Sequence, residues 1–287
     1  MELSENKIHS REVVYTPWVH AGLGFKIWAD MFGELWLGRG LMWRLFVRDL
    51  SARYRQSVFG YVWAVLPAIV TTLVFSILKK GGTFPIKDTE VAYPLYVMLG
   101  MTVWLFFSTG LTRAANSLTD ARAIIIHINF SRETLVIAAF GETVFNYLIR
   151  LLPILILFAW YKVVPQWTVL LVPLLMIPLS LMTLGIGFML ALANGVFRDI
   201  GNSLTLVLTF AMFAAPVVYP PPTEGAKVLF NYLNPASPFI IATRDLVLTG
   251  TLSQPLGLLW MSVASVIVFL LGWRVFHLAM VRVAERV

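Results

Sequence analysis

Cysteine is absent from the 287-residue chain, which removes disulfide frameworks, thiol nucleophiles and thiolate metal sites. Histidine is scarce. His9, His20, His127 and His277 show no ligand spacing, so no metal centre is expected. None of the seven lysines follows a glycine, and without a GxxxxGK[ST] loop the chain cannot hold ATP in a phosphate-binding turn. No nucleophile–base pair stands out either, which removes the usual hydrolase and transferase centres. Charge is thin. Only 13% of the residues are charged, against roughly 25% in soluble domains. The opening MELSENKIHS is polar, with no signal-peptide core behind it, so the first apolar span is expected to direct insertion.

What is present is hydrocarbon. Hydrophobic residues make up 59% of the chain, with ten Trp, nine Tyr and twenty Phe, and the mean hydropathy is +0.79. Six apolar stretches follow one another: Val58–Leu78, Pro94–Leu111, Leu135–Trp160, Val169–Ala193, Leu204–Tyr219 and Leu256–Phe276. Most approach the roughly 20 residues that cross about 30 Å of hydrocarbon as helix; the fifth is short and is expected to start nearer Ile200. Lipid leaves helices or closed barrels as the only spanning structures, and the alternation a barrel needs is missing. The net charge of +7 is a topology signal rather than a nucleic-acid one, because the basic residues flank apolar runs. With the N-terminus inside, about fifteen Lys and Arg fall on the inner side against six outside, which puts both termini in the cytosol.

The expected fold is all-α and integral to the membrane. Residues 1–24 form a cytosolic tail, 25–56 an amphipathic interfacial region, and 57–287 a six-span domain. Trp28, Met31, Phe32, Leu35 and Trp36 fall on one helical stripe, and Met42, Trp43, Phe46 and Leu50 on a second. Tryptophan and arginine beside a span suit the headgroup plane; the alternative is a soluble helix packed on a partner. Between spans five and six, Thr223-Glu224 and Ser237-Pro238 read as starts of two short re-entrant external helices.

Three groups of residues carry candidate chemistry. Glu142, Asn146 and Arg150 stand at i, i+4 and i+8 of the third span, as a proton relay or as a structural ion pair facing a neighbouring helix. Phe59 and Trp63 share a face of the first span, and Phe210 and Phe213 of the fifth. Such rings stack on sugars, or simply meet lipid and core. Arg44, Arg48, Arg53 and Arg55 suit phosphates or anionic lipid headgroups.

One family joins these pieces. RDLSARYRQSVFGYVWAVLPAIVTTLVFSIL resembles the opening of ABC-2 type permeases that export O-antigen, capsule and teichoic acid, through Arg48, Asp49, Leu50, Arg53, Tyr54, Arg55, Ser57, Gly60 and Trp63. INFSRETL (Ile128 to Leu135) is similar to the family's F-P-R-E element, with Ser131 in place of proline. FRDIGN (Phe197 to Asn202), APVVYP (Ala215 to Pro220) and LNPASPFIIATRDLVLTG (Leu233 to Gly250) resemble its later elements in order and spacing.

The resemblance implies a non-enzymatic half-transporter without a cofactor of its own. Two copies would form a channel in the bacterial inner membrane, with ATP and Mg²⁺ bound by separate nucleotide-binding subunits and periplasmic export proteins as further partners. It also implies a coupling helix within Asn116 to Arg132, with Asp120 and Arg122 as contacts to the ATPase. It assigns Phe59, Trp63, Phe210 and Phe213 to the channel wall, and Arg48, Arg53 and Arg55 to the phosphate of a lipid-linked polysaccharide. The rivals are an ABC-2 permease for drugs or lipids, an ion-coupled secondary transporter using Glu142 and Arg150, and a membrane enzyme acting on a lipid-linked sugar.

Overall fold

A computed structural model describes residues 25–55, 57, 59–82, 89, 91–121, 130–197, 199–221 and 233–284. All regular structure among them is helical. In chain order the helices are α1 (Phe25–Leu37), α2 (Arg39–Tyr54), α3 (Val62–Lys80), α4 (Tyr93–Asp120), α5 (Glu133–Tyr161), α6 (Val172–Val196), α7 (Asp199–Ala214), α8 (Ser237–Arg244) and α9 (Pro255–Ala284). Among the described residues, five segments are long and apolar enough to cross a membrane: α3, α4, α5, α6 with its 3₁₀ lead-in from Trp167, and α9 to Met280. The sixth expected span is α7. It is apolar but has only 16 residues, about 24 Å of helix.

Helix α4 is the axis of the bundle. Its apolar residues from Leu95 to Phe107 are almost all buried, with α3, α5, α6, α7 and α8 packed around it. Its 28 residues rise about 42 Å, so the end carrying Arg113 and Asp120 projects beyond an apolar layer of about 30 Å. A second, smaller core lies at that end, where Ile27, Met31 and Leu45 of α1 and α2 meet Leu118, Val136, Phe188, Trp273 and Phe276.

The amphipathic stripes sit slightly off their expected place. Ile27 and Met31 are buried, Trp28 and Leu35 pack beside them, and Phe32 and Trp36 lie on the exposed shoulder. On α2 the buried residue is Leu45, while Trp43 faces outward. The N-terminal helices therefore dock on the bundle through one edge. Phe32, Trp36 and Trp43 remain exposed at its rim.

The first span starts later than expected. Gly60 takes φ +47, a conformation that costs glycine little and other residues more, and this breaks the helix before Val62. Phe59 is consequently in the preceding turn and does not share a helical face with Trp63. The two rings nevertheless meet edge to face, 6.2 Å apart.

Between α7 and α9, the expected helix at Ser237-Pro238 is α8, with Pro238 in its first turn and all eight residues buried. The one expected at Thr223-Glu224 lies outside the described residues.

α9 closes the bundle against α6 at a contact without side chains. A Cβ on Gly185 would lie 2.6 Å from the Val268 carbonyl, and one on Gly272 would strike the Gly185 carbonyl oxygen. Gly185→Ala should force α6 and α9 apart at a cost of about 1–3 kcal/mol, read as a lower thermal midpoint in detergent. Gly33→Ala, with nothing within 4 Å of the added carbon, should leave the midpoint unchanged or raise it.

Candidate functional site

At the start of α3, four helices are tied by polar side chains on one face of α5. Glu142 is buried, with Arg53 Nη1 of α2 2.6 Å from Oε1 and Arg113 Nε of α4 3.5 Å from Oε2. One turn on, Asn146 Oδ1 accepts a 2.7 Å hydrogen bond from the Tyr54 hydroxyl. A further turn on, buried Arg150 donates from Nε to the Ala64 carbonyl of α3 at 2.9 Å. Burial first, then the charge of Glu142, pushes the Tyr54 phenol above its ordinary value, which keeps it a donor.

The three α5 residues share a buried face, as their spacing requires. The expected pairing of Glu142 with Arg150 is not made, because eight residues separate them by about 12 Å along the axis. Glu142 instead finds its countercharges on α2 and α4, and Arg150 a backbone carbonyl on α3. Arg113 was not singled out by the sequence pattern; its only cue was a position two residues beyond an apolar run.

The three arginines proposed for phosphate differ in their surroundings. Arg48 and Arg55 are exposed, with Arg48 Nη2 2.7 Å from its neighbour Asp49. Arg53 is committed to Glu142 on one side and is still 38% exposed on the other. A guanidinium has five donors, so this one can keep the carboxylate and meet a second anion.

The aromatic residues remain uncovered. Phe59 is 64% exposed, Trp63 56%, Phe210 66% and Phe213 50%. They stand on or beside α3 and α7, two elements that both flank α4, and Phe213 reaches Phe75 of α3 with ring centroids 6.3 Å apart. Beyond these ring contacts, each face stays at least half exposed among the described residues.

At the end of α4, Asp120 is exposed, while Arg122 and residues 123–129 of the expected coupling helix lie outside the described residues. The next turn is fixed from inside. Asn194 Nδ2 donates to the Ala115 carbonyl and to Asn116 Oδ1, each at 3.0 Å, and its Oδ1 accepts from Gly201 N at 2.8 Å. This seats the α6–α7 turn on α4. Ser131 donates to Glu133 Oε2 at 2.9 Å, and Glu133 Oε1 lies 2.7 Å from His277 Nδ1 of α9.

Sequence reading placed Arg244 among the outer charges, and the structure buries it completely against α4. Nε donates to the Tyr96 carbonyl at 3.2 Å, Nη1 to Pro216 at 2.5 Å, and Nη2 to Val217. The guanidinium also lies 3.7 Å from the Tyr96 ring centroid, over Gly100, where a side chain would collide with it. A guanidinium is not deprotonated in proteins, so these carbonyls are held by a charged group. This one side chain joins α8, α4 and the segment after α7.

Removing Arg53 leaves a buried carboxylate with only the more distant Arg113, whereas removing Glu142 frees an arginine that can turn to water. Arg53→Ala should therefore lower the thermal midpoint more than Glu142→Gln. Combining them should recover part of the loss, with a coupling of about 0.5–3 kcal/mol.

Known proteins resemble this chain over most of its length. The ABC-2 type transporter family matches residues 40–248, a stretch that runs from α2 to the π-helical turn after α8. The chain is 31% identical over 205 residues to the O-antigen export system permease protein RfbA of Myxococcus xanthus, covering 70% of this chain and 78% of that one. It is 24% identical over 248 residues to an RfbA of Klebsiella pneumoniae, covering 83% and 91%. With the polysialic acid transport protein KpsM of Escherichia coli the identity is 20% over 246 residues, covering 81% and 91%. The chain belongs to the ABC-2 type transporter family.

Proposed function

We propose that this chain is the membrane subunit of an ATP-driven exporter that carries a lipid-linked polysaccharide across the bacterial inner membrane, its channel formed between two copies. The observation that carries this reading is the pair of uncovered aromatic faces on α3 and α7, flanking a buried α4. The names of the relatives, export of O-antigen and transport of polysialic acid, supply the cargo class. ATP and Mg²⁺ belong to a separate ATPase, which the exposed end of α4 at Asp120 and the segment through Arg122 would meet. Both termini lie in the cytosol on this reading, and periplasmic export proteins receive the product.

In this account the phosphate of the cargo meets Arg48, Arg53 and Arg55 at the cytosolic mouth. Bidentate guanidinium contacts suit phosphate. The sugars then pass over Phe59, Trp63, Phe210 and Phe213. Stacking on rings is adhesive but carries no fixed hydrogen-bond register, so successive units can slide. The chemistry of Glu142 and Arg150 favours an anchor over a proton path, since each is engaged by a partner on a neighbouring helix.

Two measurements follow. The chain should co-purify with a separate ATPase and alter its turnover; transport by the chain alone under a proton gradient would replace this reading with an ion-coupled one. Phe59→Ala with Phe213→Ala should reduce surface glycan several-fold while leaving the assembled complex intact. Unchanged surface glycan would remove these rings from the channel.

A further inference from the structure

A groove of about 840 Å³ opens between α3 and α5, at the end of α3 opposite Arg53, with α4 as its floor. Leu73 and Ile77 of α3 and Ile156 of α5 form its walls, and Met98 lies at its base. Those three wall residues are exposed, so the groove faces outward from the bundle. The hydroxyls of Ser76 and Thr72 are turned inward. Ser76 donates to the Thr72 carbonyl at 2.6 Å, and Thr72 points at Met98 Sδ, 3.6 Å away. The lining therefore presents hydrocarbon and offers little to a sugar.

The ends of the groove differ. Lys79 and Lys80 stand at one end, in the last turn of α3, and Lys79 lies over the Tyr93 ring, 4.9 Å from its centroid. From Ile69 to Lys80 the groove follows α3 for about 16 Å, roughly half of a hydrocarbon layer about 30 Å thick. The 19 residues of α3 rise about 28 Å, which sets the two lysines at headgroup depth. Length, apolarity and a cationic end together describe one leaflet's lipid.

We infer that this groove binds an anionic phospholipid of the bilayer, with an acyl chain along Leu73, Ile77 and Ile156 and its phosphate at Lys79 and Lys80. A second copy of the chain suits the groove less well, because a two-fold contact brings a patch onto itself and would set the lysine pairs against each other. The inference rests on the membrane-spanning helices and not on the transport reading, so the two fail separately.

The test is native mass spectrometry of the delipidated full chain, titrated with phosphatidylglycerol or phosphatidylcholine of the same acyl chains. Wild type should bind phosphatidylglycerol about tenfold more tightly. Lys79→Gln with Lys80→Gln should bring the two lipids within about twofold of each other. Leu73→Trp, a change on an exposed wall, should weaken both lipids with the thermal midpoint unchanged. Equal binding of the two lipids by wild type would overturn the inference, as would a preference that survives the lysine substitutions. A polyprenyl phosphate binding more tightly than phosphatidylglycerol would give the groove to cargo and overturn it too. So would a dimer that excludes lipid from it.

Discussion

Hydrocarbon offers no hydrogen bonds, so every polar group carried into a membrane bundle has to be satisfied by the protein itself. Arg244 shows the constraint most fully. Its guanidinium meets three carbonyls and a ring, and in doing so ties three segments together at one point. The chain behind α7 turns at Pro216 and Val217 because those carbonyls are held. α8 can be buried along all eight residues because its one charge is consumed. Gly100 leaves the space that makes the contact possible.

The same constraint operates at the other end of the bundle with ionised partners. Glu142 is buried where an unpaired carboxylate would be costly, and its neutralisation requires Arg53 and Arg113 to come from different helices. α2 is thereby attached to the span by charge, while Ile27, Met31 and Leu45 attach α1 and α2 by apolar contact. A movement of α2 cannot leave α5 unaffected. If phosphate binds near Arg53, its effect reaches the bundle through Glu142, and the exposed half of that arginine is the side from which it would arrive.

Much of this was legible in the sequence. Hydropathy located all five long spans, since burial in lipid imposes a length and a composition that local sequence must satisfy. The i, i+4, i+8 face of α5 was visible for the same reason, as was the proline start of α8. The partners of that face were not. Whether Glu142 meets Arg150, Arg53 or Arg113 depends on which helices become neighbours, and spacing within one helix carries no such information. The partners of Arg244 were hidden for a related reason, since the three carbonyls it meets belong to other elements. The start of α3 was displaced by a single glycine, whose backbone freedom counts for more than the apolar run around it.

The account turns on what covers the exposed aromatic faces of α3 and α7. Because the natural chain contains no cysteine, one introduced thiol reports on its own surroundings without background. In native membranes, Phe210→Cys treated with a short bis-maleimide should link one copy of the chain to another. Trp260→Cys, equally exposed but on the outer face of α9, should not. Cross-linking through position 260 with none through position 210 would contradict the account, because the aromatic faces would then look into lipid rather than across a channel.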